Sequence, residues 1–253
     1  MNRNVNFILV CALCSSFSYA DVVSIRADAW YPINGDAGSE KPGYMIEIAE
    51  AILTENGHSL DYQTMPWERS LTEVRAGKYD CVVGATPGDA EDFIFPEESW
   101  GAFESTFYVK KGNGWRYTDL DSVKNIKVGV IGGYAYSDEF DAYVAANKAN
   151  AMVQVLNANN ALEQNIKKLN AGRIDAVVES HLVMNAKLME MGLVDNITSA
   201  GALTESEPIF IACSPAKASS KIYSSLFSGG IQKLRASGQL KTILDKYGLT
   251  DWK

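Results

Sequence analysis

From residue 22 the chain alternates short apolar stretches with longer amphipathic ones. VVSIRA has the composition of a strand. GYMIEIAEAILTENG places Met45, Ile48, Ala49, Ile52 and Leu53 on one helical face, and Gly57 suits the position just past the end. SLDYQTM alternates as a strand. PWERSLTEVRAG predicts a helix with Pro66 in its first turn and Gly77 at its close. YDCVVGA is a continuous apolar run, the pattern of a strand buried on both faces.

The rhythm then recurs. IKVGVIGG, MVQVLNA and RIDAVVES predict strands, separated by the helical stretches YSDEFDAYVAANK and NNALEQNIKKLNAG. The third strands align as AGKYDCVVGA (76–85) and AGRIDAVVES (171–180), with five of ten positions identical. The match falls at the same place in both β-α-β-α-β series. It predicts an α/β protein of two Rossmann-like lobes, each with a mostly parallel sheet. STFYVKKGN and PIFIACSP, at the two ends of the second series, suit a double crossover that joins the lobes as hinge strands. The expected division is 21–108 with 210–253 for lobe one and 109–209 for lobe two. The closing SLFSGGIQKLRASGQLKTILDKYG predicts helix covering lobe one, with turns at Gly229, Gly230 and Gly238.

Ligands of open α/β sheets collect beyond the carboxyl ends of the strands. Two facing lobes would bring those ends around one cleft, with the loops after Ala85 and Glu179 on opposite walls. Trp67 and Arg69 open a helix directly after the second strand. Arg69 is placed either to fork onto a ligand carboxylate or to pair with Glu68 or Glu73 on the surface. Thr86 offers a hydroxyl at the cleft edge. Gly132, Gly133 and Tyr134 are expected to open the first helix of lobe two, where unpaired N–H groups attract anions. GVIGGY lacks the spacing of a nucleotide-binding fingerprint.

The first twenty residues, MNRNVNFILVCALCSSFSYA, carry the three parts of a secretory signal: Arg3, an apolar stretch to Phe17, and small Ser18 and Ala20. Cleavage after Ala20 is expected. The apolar stretch is too short to span a bilayer, and Leu13 sits where a lipobox needs a small residue. The net charge of −8 argues against nucleic acid, whose binding depends on basic residues. Beyond residue 20 two cysteines remain, Cys81 and Cys213, both in apolar strands. An oxidising compartment permits a bridge between them; two buried free thiols is the other reading.

The ordered set ADAWYP, PGYMIEIAEAI, PWERSLTEVRAGKYDCVVGATP, DLDSVKNIKVGVIGG, LNAGRIDAVVES and LRASGQLKTILDKYG covers nearly the whole exported chain. It resembles the periplasmic substrate-binding proteins of amino-acid-type transporters, extracellular solute-binding family 3, in the branch marked by PW-x-R-[AS]-L. The resemblance implies a type II periplasmic binding protein fold that closes on a small polar or amino-acid-like solute. It also implies a monomer in the periplasm that presents its closed form to an inner-membrane ABC permease. Trp30 and Tyr31 stand where such proteins place an aromatic against the ligand. Amino-acid-binding members carry an Arg soon after the Thr-containing turn; here the stretch is Asp89-Ala90-Glu91-Asp92, expected to face water. Where those members hold the α-ammonium with an Asp, this chain has Ser180, preceded by Glu179. With both halves of the clamp altered, either Arg69 and Glu179 replace them or the ligand is not a standard α-amino acid.

No enzyme signature stands out. His58 and His181 are the only histidines, far apart in sequence, and no H-E-x-x-H or G-x-S-x-G occurs. No metal or cofactor is expected. A sensory module for a separate receptor and a small-molecule lyase on the same fold, with Glu179 as acid or base, are the alternatives.

Overall fold

The alternation resolves into two five-stranded sheets in a computed structural model that describes residues 20–253. The expected signal segment lies outside the described residues, apart from Ala20. In chain order the elements are β1 (Val22–Ala27), α1 (Tyr44–Glu55), β2 (Ser59–Thr64), α2 (Trp67–Arg75), β3 (Cys81–Ala85), β4 (Gly101–Phe103) and β5 (Ser105–Lys110). There follow α3 (Leu120–Val123), β6 (Val128–Ile131), α4 (Asp138–Asn147), β7 (Val153–Leu156), α5 (Ala161–Asn170), β8 (Ala176–Ser180) and α6 (His181–Met191). The chain ends with β9 (Ile197–Ala202), β10 (Glu207–Cys213), α7 (Ser220–Ser237) and α8 (Gln239–Asp245).

The strand orders are β2-β1-β3-β10-β4 and β7-β6-β8-β5-β9. In each sheet the first three strands are parallel and the fourth is antiparallel to its neighbours. The internal repeat is therefore β3 against β8. The fourth strand of each sheet comes from beside a crossover, β10 after the return and β5 after the departure. The chain passes between sheets at Glu104 and again over 203–206. Residues 105–108, assigned to lobe one on the sequence, pair in the second sheet, while 207–209 pair in the first. The apolar alternation of STFYVKK and PIFIACS marked both strands but carried no sign of which sheet each would join.

Burial follows the amphipathic faces. In lobe one Met45, Ile48, Ile52 and Leu53 of α1 are fully buried, and Trp100 packs edge-on against Phe227 of α7 at 5.3 Å. In lobe two Phe107 meets Phe140 edge-on at 5.5 Å over Val128 and Val178. Cys81 and Cys213 face each other in register on β3 and β10 and are bridged, their Cα atoms 3.9 Å apart. The C-terminal helix departs from expectation. It runs unbroken through Gly229 and Gly230, because Gly230 is where Ile52 of α1 packs against it; only Gly238 ends it.

Candidate functional site

The carboxyl ends of β1, β3 and β8 meet at a cavity between the lobes. After β1 the backbone of Trp30 and Asn34 closes on itself, Trp30 N–H donating to Asn34 O at 2.6 Å and Asn34 N–H to Trp30 O at 3.2 Å. The Asn34 side chain donates to Asp28 O at 2.7 Å and fixes the start of the turn. The turn directs Asp28 and Trp30 inward, over Gly84 of β3; a Cβ at Gly84 would lie 2.9 Å from Asn34 Oδ1. Trp67 enters from the first turn of α2 and Phe103 from the end of β4. Lobe two supplies Glu179 and Ser180 at the end of β8, and Tyr134 and Tyr136 from the loop before α4.

Three hydrogen bonds cross between the lobes here. Trp30 Nε1 donates to Glu179 Oε1 at 2.7 Å, Tyr134 Oη to Asp28 Oδ2 at 2.7 Å, and the Ala135 N–H to Asp89 Oδ1 at 3.1 Å. Aromatic edges reinforce them: Tyr134 meets Trp30 at 6.2 Å and Trp67 at 6.4 Å, both T-shaped. Gly133, with positive φ, lies against the backbone of Glu68 across the cleft, where a Cβ would sit 3.0 Å from Glu68 Cα. The lobes are closed on each other.

Every crossing bond ends on a carboxylate, yet none of the described residues lining the cavity is Lys, Arg or His. Burial pushes Glu179 up to about 8, against the opposing effect of its bonds from Trp30 and the Ser180 N–H. Burial likewise raises Asp28 to about 6. Glu179 Oε2 is fully buried and has no hydrogen-bond partner among the described residues. Asp89 differs, being surrounded by donors: the Thr86 N–H at 2.7 Å, Thr86 Oγ1 at 2.8 Å, Trp67 Nε1 at 3.2 Å and the Ala135 N–H. Burial raises Asp89 too, and these bonds oppose the rise.

Of the residues singled out on the sequence, Trp30, Trp67, Thr86, Tyr134, Glu179 and Ser180 line this cavity. Tyr31 does not. It is exposed on the far side of the turn, tilted against Tyr247 at 6.0 Å, since consecutive residues of so tight a turn point opposite ways. Arg69 also lies outside: its Nε donates to Glu73 Oε1 at 2.8 Å, one helical turn on, and the side chain is 60% exposed. The surface pairing is the arrangement adopted. Gly133 and Tyr134 do not open a helix, because α4 starts at Asp138 with the Ser137 side chain as its cap. Three acids occupy that first turn, so it offers nothing to an anion. The expected acidic loop also divides: Asp92 pairs with Arg75 at the surface, but Asp89 turns inward.

Asp28, Phe103 and Tyr136 also line the cavity and are not among the residues that the sequence pattern singles out. Asp28 lies just beyond β1, within reach of the strand-end rule; the family resemblance that points to Trp30 and Tyr31 in the same stretch looks for an aromatic and passes over the acid. The helical pattern of YSDEFDAYVAANK takes in Tyr136, whereas α4 begins only at Asp138, and Phe103 ends a three-residue strand too short to show a period. His181 opens α6 and is bonded to Tyr108 Oη at 3.0 Å and Asn185 at 2.9 Å, outside the cavity lining. Among the described residues no group of His, Cys, Asp and Glu is arranged to hold a metal, and no helix is long and apolar enough to cross a membrane.

The chain is similar to the Bacillus subtilis (strain 168) protein named "Probable amino-acid-binding protein YxeM", 23% identical over 220 residues, which are 86% of this chain and 80% of that one. Among solved structures it is similar to an ancestral arginine-binding protein bound to glutamine (TM-score 0.73, 20% identity, 90% of this chain and 98% of the other). It is also similar to a histidine kinase sensor domain resembling periplasmic binding proteins (TM-score 0.72, 17% identity, 89% and 95%). These two share the two-lobed fold. The sequence pattern of one family spans residues 23–250, from the start of β1 to just past α8, and by that match the chain belongs to the bacterial extracellular solute-binding proteins, family 3.

Proposed function

We propose that this protein is exported to the periplasm as a monomer, captures a small polar or amino-acid-like solute between its lobes, and presents the closed form to an inner-membrane ABC permease. The observation that carries the reading is the set of three interlobe hydrogen bonds arranged around one cavity. Such bonds exist only when the lobes meet, so a solute that fills the cavity and bonds both walls stabilises the closed state over the open one. The residues that serve are Trp30, Trp67, Thr86, Tyr134, Glu179 and Ser180, joined by Asp28 and Phe103. The role is binding, with the solute released unchanged.

A thermal-shift screen combined with solution X-ray scattering tests this. The expected result is a solute class that raises the unfolding midpoint, reduces the radius of gyration and is recovered chemically intact. Failure of every class to do both, or recovery of an altered solute, overturns the reading. The sensor-domain neighbour favours one second reading, delivery of the closed form to a separate receptor. Pull-down of the ligand-bound protein on a permease or on a sensory receptor separates the two.

A further inference from the structure

Resting on the solute-binding reading, we infer that the cavity selects an organic cation that donates N–H bonds and carries no carboxylate: a small primary amine, amidine or guanidine. Three observations lead there. The first is the charge of the lining. Asp28, Asp89 and Glu179 come from three separate segments, and no basic side chain of the described residues joins them in the cavity. The one cation that the sequence placed near the cleft, Arg69, is turned to the surface and held by Glu73. A ligand carboxylate would therefore enter a cavity of its own sign without a counter-ion, which is costly at low dielectric.

The second observation is the orphaned acceptor. Glu179 is 1% exposed; its Oε1 accepts from Trp30 Nε1 and the Ser180 N–H, while its Oε2 is buried without a partner among the described residues. An unpaired buried oxygen of this kind loses solvation and gains nothing in return. An N–H donor supplied by the ligand would satisfy it, and a positive charge on that donor would balance the carboxylate. Asp28, on the opposite wall, accepts one side-chain bond, from Tyr134, through Oδ2. The third observation is aromatic. Trp30, Trp67, Phe103 and Tyr134 line the same space, with Trp30 and Phe103 edge-to-face at 5.3 Å. Such faces attract cations and apolar stems together.

Asp89 is excluded from direct ligand recognition because its oxygens are already committed to protein donors. Its charge still belongs to the cavity. The requirement for N–H separates this inference from a general aromatic cation trap: a quaternary ammonium would sit against the rings but leave Glu179 Oε2 unpaired.

Matched pairs provide the test. Affinity is measured by calorimetry for arginine and agmatine, lysine and cadaverine, histidine and histamine, and phenylalanine and phenethylamine, with choline as a cation without N–H on its charged nitrogen. The expected result is that at least one amine binds tenfold or more tightly than its amino acid and than choline, with compaction by scattering. Glu179→Gln keeps the shape and removes the charge, and should weaken that amine at least tenfold; Asp28→Asn is the second variant should Glu179→Gln unfold. Amino acids matching or exceeding their amines, choline matching them, or a folded Glu179→Gln that binds unchanged would each overturn the inference. If no amine binds but an anionic or neutral solute closes the lobes, the cation inference fails while the solute-binding reading stands. If nothing closes them, both fail.

Discussion

Asp89 shows how differently two neighbouring acids can be used. Asp92 is at the surface with Arg75, whereas Asp89 ties the Thr86 turn, the Trp67 ring and lobe two together. Its Oδ2 accepts both Thr86 donors, and its Oδ1 accepts from Trp67 and Ala135. Replacing it with Ala strands several donors at once. Asp89→Ala should therefore lower stability by about 2–4 kcal/mol. Asp89→Asn retains one acceptor oxygen and should lose about half as much, while Glu91→Ala, on the exposed side of the same loop, should change stability by less than about 0.5 kcal/mol. Urea denaturation at neutral pH checks the series. If Ala and Asn variants both match the parent, Asp89 is an ordinary solvated acid.

At the scale of elements, the strands and helices of both repeats were legible because their apolar periods are strong and their ends are marked. What escaped was information that lies in contacts. The pair Gly229-Gly230 reads as a turn, yet α7 continues through it, because the second glycine makes room for a neighbouring helix. A Cβ at Gly230 would sit 2.6 Å from two carbons of Ile52, whereas one at Gly229 meets nothing within 4 Å. Gly229→Ala should stabilise the protein by roughly 0.5–1 kcal/mol through helix propensity alone. Gly230→Ala gains the same propensity but forces α7 from α1, and should cost about 1–3 kcal/mol net. Thermal unfolding of the two variants separates them, and equal effects would mean that the helices do not meet there. The candidate site was legible to the same degree. Strand ends led to Thr86 and Glu179 and the family resemblance to Trp30, but the direction of a side chain in a turn, as at Tyr31, and the choice of Arg69 between ligand and surface depend on geometry that periodicity does not encode.

For the whole molecule, closure and protonation are linked. Parting the lobes would break the bonds from Tyr134 and Trp30 and open Asp28 and Glu179 to water, where carboxyls titrate near 4. In the closed form burial raises them to about 6 and about 8. The titratable groups facing Glu179 are Asp28, Tyr108, Tyr134 and Tyr136, none of them cationic, and His181 is bonded instead to Tyr108 and Asn185. The closed form thus holds more protons than the open one. Their contribution to closure is fully present below about pH 4 and is lost as pH rises, through about 6 for Asp28 and about 8 for Glu179. Each unit within a window costs about 1.4 kcal/mol per group. The ligand-free protein should accordingly be more compact at pH 5 than at pH 8.5 by solution scattering. Glu179→Gln, neutral at every pH, should remove the upper part of that change. A bound cation replaces the protons as the compensating charge, so the ligand-saturated protein should stay closed across the same range. A radius of gyration that is flat with pH in the ligand-free protein, or smaller at pH 8.5, would show that closing does not bury these carboxyls as charged groups.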